Sequence, residues 1–161
     1  MAHHLFRLTL TADNGEPDGA ERPKRRARRH TISAPGKPDI SGSSAPTFHG
    51  ESERWNPEEL FLAALTQCHF LSYLFVAERA GMRVLGYQCE AQATLEVDEA
   101  GAGRIAAVEL FPLVQVDLGQ GVLASSLHAQ AHEVCFIARS VSCEVTWRDQ
   151  TIEVSPPDTQ V

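Results

Sequence analysis

The chain has 161 residues, 43% of them hydrophobic, which suffices for one domain with a real core and excludes both a disordered chain and an apolar membrane protein. With 14 basic against 21 acidic residues the net charge is −7, which disfavours nucleic acid as a partner, although basic residues crowd into Arg22, Lys24, Arg25, Arg26, Arg28 and Arg29. The four cysteines are irregularly spaced, unlike a secreted disulfide framework, and Met1 to Leu10 alternates instead of building an apolar leader, so the expected compartment is the cytoplasm.

In chain order, His4 to Ala12 alternates with Phe6, Leu8 and Leu10 on one side, which predicts an edge or hairpin strand. Asn14-Gly15, followed by Pro17, Asp18 and Gly19, marks a turn. Beyond the basic run, His30 to Ser33 predicts a second short strand, closed by Pro35-Gly36. From Lys37 to Arg54 glycine, proline and serine are frequent and apolar periodicity is lost. This predicts a long irregular connection of the kind that lines a site or crosses to a partner chain.

The longest apolar helical pattern runs from Trp55 to Gly81. Asn56 can accept the first free backbone N–H groups, Pro57 suits the first helical position, and Glu59 completes a capping box. Gly81 supplies the left-handed residue that ends a helix. Between these caps only Thr66, Gln67, His69, Ser72, Tyr73, Glu78 and Arg79 interrupt the apolar and alanine run, so the helix is expected to be buried on most sides. The same interruptions argue against a membrane span and for the central helix of a soluble domain or of a subunit interface.

Leu85 to Val97 then predicts a strand whose exposed face carries Gln88, Glu90, Gln92, Thr94 and Glu96. Asp98 to Gly103 is a hairpin turn, and Ile105 to Leu118 a long strand broken or bent at Pro112. Gly119 to Gly121 opens a second helix running to about Val134. Ser142 to Val154, with Cys143, Val145, Trp147, Ile152 and Val154, gives a final pair of strand segments before a frayed tail from Ser155 to Val161.

There is no internal repeat, no phosphate-binding glycine loop and no Ser-His-Asp order with a local signature, so any chemistry falls to cysteines, histidines and charges. Cys68 shares its helical face with Phe61, Ala64, Leu65, Leu71, Ser72 and Phe75, and on these residues alone it reads as a core thiol. Cys135, Cys89 and Cys143 take the same reading. His128 and His132 lie four apart and could ligate a metal with Cys135, but no acidic or second cysteine motif supports this, and paired helix histidines on a solvated face are commoner. His69 points about 100° away from Cys68, which makes it a poor base for that thiol and a candidate to fill a polar gap in the buried helix.

The run Asn56-Pro-Glu-Glu-Leu-Phe-Leu-Ala-Ala-Leu-Thr-Gln-Cys68-His69 is preceded by Gly36-Lys-Pro-Asp-Ile-Ser-Gly-Ser-Ser and followed by Ala131-His-Glu-Val-Cys135-Phe-Ile-Ala-Arg-Ser-Val. Together these segments resemble the OsmC/Ohr family of thiol-dependent peroxidases, over about Arg28 to Trp147. The resemblance implies an α+β, OsmC-like fold: an antiparallel sheet with a long buried central helix and a second helix, two chains intertwining into a homodimer. One such domain would fill residues 1–161, with N-terminal strands and crossover in 1–54, the helix–strand core in 55–154 and the tail in 155–161.

The resemblance further implies Cys68 as the peroxidatic cysteine, Cys135 as the resolving cysteine and Glu58 as a site carboxylate. It also implies an arginine from the early strand region, for which Arg28 is the best match and Arg29 nearly as good. No cofactor or metal is implied. The substrates would be an organic hydroperoxide and an external thiol or dithiol, lipoyl-type dithiols serving in the family. These roles fit elementary chemistry, since burial disfavours a reactive thiolate unless a guanidinium stabilises it, and a buried arginine needs a carboxylate to hold it. Glu58 and Cys68 are ten positions apart, roughly 15 Å along a helix, so a shared site would take Glu58 from a second chain. The competing classes are a non-enzymatic small-molecule binder or oxidant sensor of the same fold, and nucleic-acid binding through residues 22–29, a run that lacks interleaved aromatics.

Overall fold

A computed structural model of the chain describes residues 3–12 and 28–155. The turn expected at Asn14 to Gly19, the basic residues Arg22 to Arg26, and the tail beyond Ser155 lie outside the described residues. Backbone contacts divide the chain into two compact units, with the boundary between Phe61 and Leu62.

The first unit holds a three-stranded antiparallel sheet of β1 (Thr9–Thr11), β2 (His30–Ser33) and β3 (Ile40–Gly42), in that order. Strand β1 is far shorter than the alternation from His4 to Ala12 predicts. Only Thr9 to Thr11 find partners, opposite Ser33 to Thr31, because β2 gives way beyond Ser33 to the turn at Pro35-Gly36. Strand β3 corrects the reading of residues 37–54 as wholly irregular: Ile40 pairs with Ile32 and Gly42 with His30. Three residues are too few to show a period. Gly42 is required there, since a side chain would run into the His30 ring. A 3-10 turn at Pro46–Phe48 follows, and Trp55 then returns alongside β3, its N–H donating to Ser41 O at 3.1 Å.

Helix α1 (Pro57–Arg79) begins as its sequence predicts. Glu59 N–H donates to Asn56 Oδ1 at 2.8 Å, and Asn56 N–H donates back to Glu59 Oε2 at 3.4 Å, a complete capping box. Its other end closes on Gly81, whose φ of 68° is left-handed, with Met82 N–H reaching Ala77 O at 2.9 Å and Gly81 N–H reaching Glu78 O at 3.0 Å.

The second unit is built on a mixed sheet. Strands β4 (Val84–Val97) and β5 (Gly103–Asp117) form a long antiparallel hairpin, turned through Asp98 and Gly101. As predicted, Gln88, Glu90, Gln92, Thr94 and Glu96 are exposed. Helix α2 (Gly121–Val134) then crosses over to β6 (Glu144–Trp147) and β7 (Gln150–Val154), which both run parallel to β5 along its free edge. A helical crossover between neighbouring strands imposes that direction, so the sheet is mixed where the sequence reading had it antiparallel. Pro112 does not break β5. Leu110 O accepts Arg148 N–H on the β6–β7 edge at 2.9 Å, and Pro112, two residues on, faces the same edge at the gap between β6 and β7, where no partner needs its missing N–H.

The core of this unit joins Tyr73, Val76, Ala77 and Met82 to Val114 and Val116 of β5 and to Ala124, Leu127 and Ala131 of α2. Helix α1 buries a single stripe, Leu65, His69, Tyr73, Val76 and Ala77, rather than most of its sides. Leu71 and Phe75 are 56% and 50% exposed on the opposite face, and Phe136 beyond α2 is 79% exposed. By length and composition alone α1 also meets the requirement for a membrane crossing, with a mean hydropathy of 1.7 over its most apolar window.

Candidate active site

Cys68 lies halfway along α1, beside the buried stripe, and is half-buried, while Cys135 ends α2 and is wholly buried. After Cys135 the backbone turns sharply into a 3-10 turn at Ala138–Ser140, with Arg139 N–H closing on Cys135 O at 3.1 Å. This turn aims two successive N–H groups at the two sulfurs. Ile137 N–H donates to Cys68 Sγ and Ala138 N–H to Cys135 Sγ, each at 3.4 Å. All four cysteines are free thiols. Burial above all, and then the Cys68 side chain acting both as hydrogen-bond partner and as charge, push the Cys135 thiol up to about 11, against the opposing pull of the Ala138 and Ile137 N–H groups. Cys135 is therefore a protonated thiol at neutral pH, in contact with Cys68.

Cys68 opens into an apolar cavity of about 460 Å³ lined by Leu71, Ser72, Phe75, Val134 and Phe136. Ser72 is the one polar side chain besides the thiol in that wall. Of the apolar face that the sequence reading assigned to the core, Leu65 is wholly buried, whereas Leu71, Ser72 and Phe75 form the wall of an open pocket at Cys68, with Phe136 and Val134 closing it from the far end of α2.

The histidines form a buried cluster that the sequence concealed. His69 and His128 are both wholly buried, with His69 Nε2 and His128 Nδ1 3.1 Å apart and the rings 6° from coplanar. Trp147 packs on His69 at 6.2 Å and on His132 at 5.3 Å, and Tyr73 packs on His128 at 4.4 Å. His69 fills a polar gap, as predicted. The solvated-face reading of His128 and His132 is overturned, because His128 lies on the buried stripe of Ala124, Leu127, Ala131 and Cys135. Burial first, then His128 and His132, bring His69 down to about 4; burial brings His128 to about 4, against the raising effect of Asp149. Both are neutral at pH 7. No cluster of three or more His, Cys, Asp or Glu side chains suited to a metal occurs among the described residues.

The charged candidates sit in the first unit. Arg29 Nε meets Glu51 Oε1 at 2.6 Å and Arg54 Nε meets Glu51 Oε2 at 2.8 Å, so Glu51 is a shared carboxylate whose pKa Arg29, foremost, holds below the usual range. Among the described residues no ion pair involves Arg28 or Glu58, and Glu58 Oε2 is buried without a hydrogen-bond partner. Arg28 is exposed with a left-handed φ of 51°, and its carbonyl lies 3.1 Å from His30 Nδ1. The structure thus brings Cys68 and Cys135 together, while among the described residues neither Arg28 nor Glu58 has an ion-pair partner. Glu51 escaped the sequence reading because it lies in a loop without periodicity.

A family model for OsmC-like proteins matches residues 50–148. Among solved structures, the fold is similar to an OsmC-like protein of unknown function from Vibrio cholerae (TM-score 0.72, 25% identity, covering 91% of this chain and 100% of that one). It is also similar to an organic hydroperoxide resistance protein from Legionella pneumophila (TM-score 0.67, 20% identity, 94% and 100% covered) and to the organic hydroperoxide resistance protein OhrB of Bacillus subtilis (TM-score 0.59, 21% identity, 91% and 98% covered). No curated protein matches the chain.

The histidine pair makes stability depend on pH. Each ring has an ordinary value of 6.5 but about 4 when folded, so on acidification the unfolded chain takes up protons first. The stabilising contribution is complete above about pH 6.5 and is lost as pH falls towards 4. The thermal unfolding midpoint is expected to drop between pH 6.5 and 5, and to drop less in the His69→Gln, His128→Asn double variant. Equal slopes in the two proteins would contradict the assignment.

Proposed function

Because the chain belongs to the OsmC/Ohr family of OsmC-like proteins, we propose that it is a thiol peroxidase reducing organic hydroperoxides through Cys68 and Cys135. The observation that carries this reading is the thiol pair itself: two reduced cysteines from different helices, each under a backbone N–H, one of them open to an apolar pocket.

In the proposed cycle the Cys68 thiolate attacks one peroxide oxygen. The O–O bond breaks, the alkoxide takes a proton and leaves as alcohol, and Cys68 becomes a sulfenic acid. Ile137 N–H is the donor an anionic Cys68 sulfur would accept, and the pocket receives the organic group. Cys135, held protonated, does not compete for peroxide. Its sulfur then displaces the sulfenic hydroxyl. The S–S bond forms, the S–O bond breaks, and the Cys135 proton leaves with the hydroxyl as water. An external thiol or dithiol, lipoyl-type dithiols being the family's pattern, supplies two electrons and two protons to restore both thiols. The family's chemistry is thiol-based and runs without a cofactor. The irregular spacing of the four cysteines, unlike a secreted disulfide framework, supports a cytoplasmic compartment in this reading.

The roles of Glu58 and Arg28 belong to a two-fold dimer in this reading. Among the described residues Glu58 Oε2 is buried without a hydrogen-bond partner, which is costly for a carboxylate unless a group beyond them supplies one, and in this reading a second chain does so. Arg29 already spends its Nε on Glu51, and this favours Arg28 as the guanidinium that stabilises the thiolate and polarises the O–O bond. The exposed face of Leu71 and Phe75 fits the same arrangement, as the surface a second copy of α1 would cover.

With excess dithiol and an organic hydroperoxide, Cys68→Ser is expected to abolish turnover outright, whereas Cys135→Ser undergoes a single oxidation and stalls. Equal residual activity in both variants would remove the role assignment. Sedimentation is expected to find a stable dimer. A monomer with full activity would contradict the shared site.

A further inference from the structure

We propose that the His69–His128 hydrogen bond is the register clamp that holds Cys68 against Cys135, making both histidines positioning residues for disulfide formation. The inference rests on the two-cysteine reading above and concerns how this chain achieves the geometry that reading needs.

His69 follows Cys68 directly, and His128 precedes Cys135 by seven residues, two turns along the same face of α2. The pair is one rung of a ladder between the helices. Four residues further along α1 and four residues back along α2, Tyr73 OH donates to Ala124 O at 3.0 Å. Two rungs, each one helical turn from the next and running in opposite chain directions, fix both the rotation and the translation of α1 against α2. Apolar packing between the same helices tolerates sliding, whereas a coplanar N–H···N bond at 3.1 Å does not. Trp147, from the end of β6, packs on His69 as well.

The pair is an unlikely choice for stability alone. Among the described residues His69 Nδ1 and His128 Nε2 are both buried without partners, so two imidazoles have been taken out of water for one hydrogen bond. What that bond secures is geometry. A rotation of α1 by about 30° would carry the Cα of Cys68 by about 1.2 Å, at the helix radius of about 2.3 Å. A disulfide needs its Cβ atoms within a window of only about 1 Å.

The test uses polar substitutions that differ in reach. In His69→Gln the amide nitrogen takes the place of Nε2, and in His69→Asn it falls short; in His128→Asn the amide takes the place of Nδ1, and in His128→Gln it overshoots. Each reduced full-length protein is equilibrated with glutathione redox buffers, and the Cys68–Cys135 disulfide is quantified by peptide mass. Its equilibrium constant against glutathione is expected to stay near wild type in His69→Gln and His128→Asn and to fall about tenfold or more in His69→Asn and His128→Gln. Val108→Ala, a buried β5 substitution opposite Ala93 and Val145, reports the effect of lost stability alone and is expected to leave the constant unchanged. Equal constants across all four histidine variants, a fall in Val108→Ala matching theirs, or no Cys68–Cys135 disulfide in the wild type would overturn the clamp. Glutathione equilibrium needs no peroxide, so a protein that shows the expected pattern yet reduces no hydroperoxide supports the clamp and contradicts the peroxidase reading.

Discussion

One turn of backbone after α2 aims its N–H groups at two sulfurs on different helices, and the proposed chemistry depends on that turn. Ile137 serves Cys68 and Ala138 serves Cys135. For the turn to reach both, α2 must end at Cys135 and α1 must present Cys68 to that end. The long hairpin of β4 and β5 provides the floor, with Val114 and Val116 beneath the packed residues of both helices. Glu153 of β7 accepts Gly121 N–H at 2.6 Å and fixes where α2 begins. A helix tied at its start and closed by a sharp turn leaves Cys135 little freedom, which suits the bond to Cys68 that the proposed cycle requires.

The two cysteines differ by environment more than by residue type. Cys135 is enclosed, beside another thiol, and stays protonated. Cys68 borders an apolar cavity on a helix whose outer face remains uncovered. That outer face explains a composition that is otherwise hard to place, since α1 is apolar enough for a membrane yet buries only a stripe against its own sheet. A helix covered by its own fold on one side and by a second copy on the other would have this composition. Glu58 Oε2, buried without a partner among the described residues, fits the same reading.

Local chemistry made much of the fold legible. The ends of α1 were written in Asn56, Pro57, Glu59 and Gly81, because caps act through residues within one turn of each other. The exposed face of β4 followed from strict alternation. What escaped detection was non-local or too short. Strand β3 has three residues, and the parallel placement of β6 and β7 depends on pairing with β5 more than 35 residues away. His69 and His128 are 59 positions apart, and no spacing rule joins them. Of the candidate site, Cys68 and Cys135 were found only through resemblance, since each alone reads as a core thiol. The pairing of Arg29 with Glu51, 22 positions on and beyond β2 and β3, had no local signal either.

The most direct test of the account is a peptide map after one equivalent of an organic hydroperoxide has been added to the fully reduced protein. The account predicts a disulfide between Cys68 and Cys135, with one alcohol released per bond formed and Cys89 and Cys143 left as thiols. Oxidation confined to Cys89 or Cys143, or hydroperoxide consumed while Cys68 remains a free thiol, would contradict it.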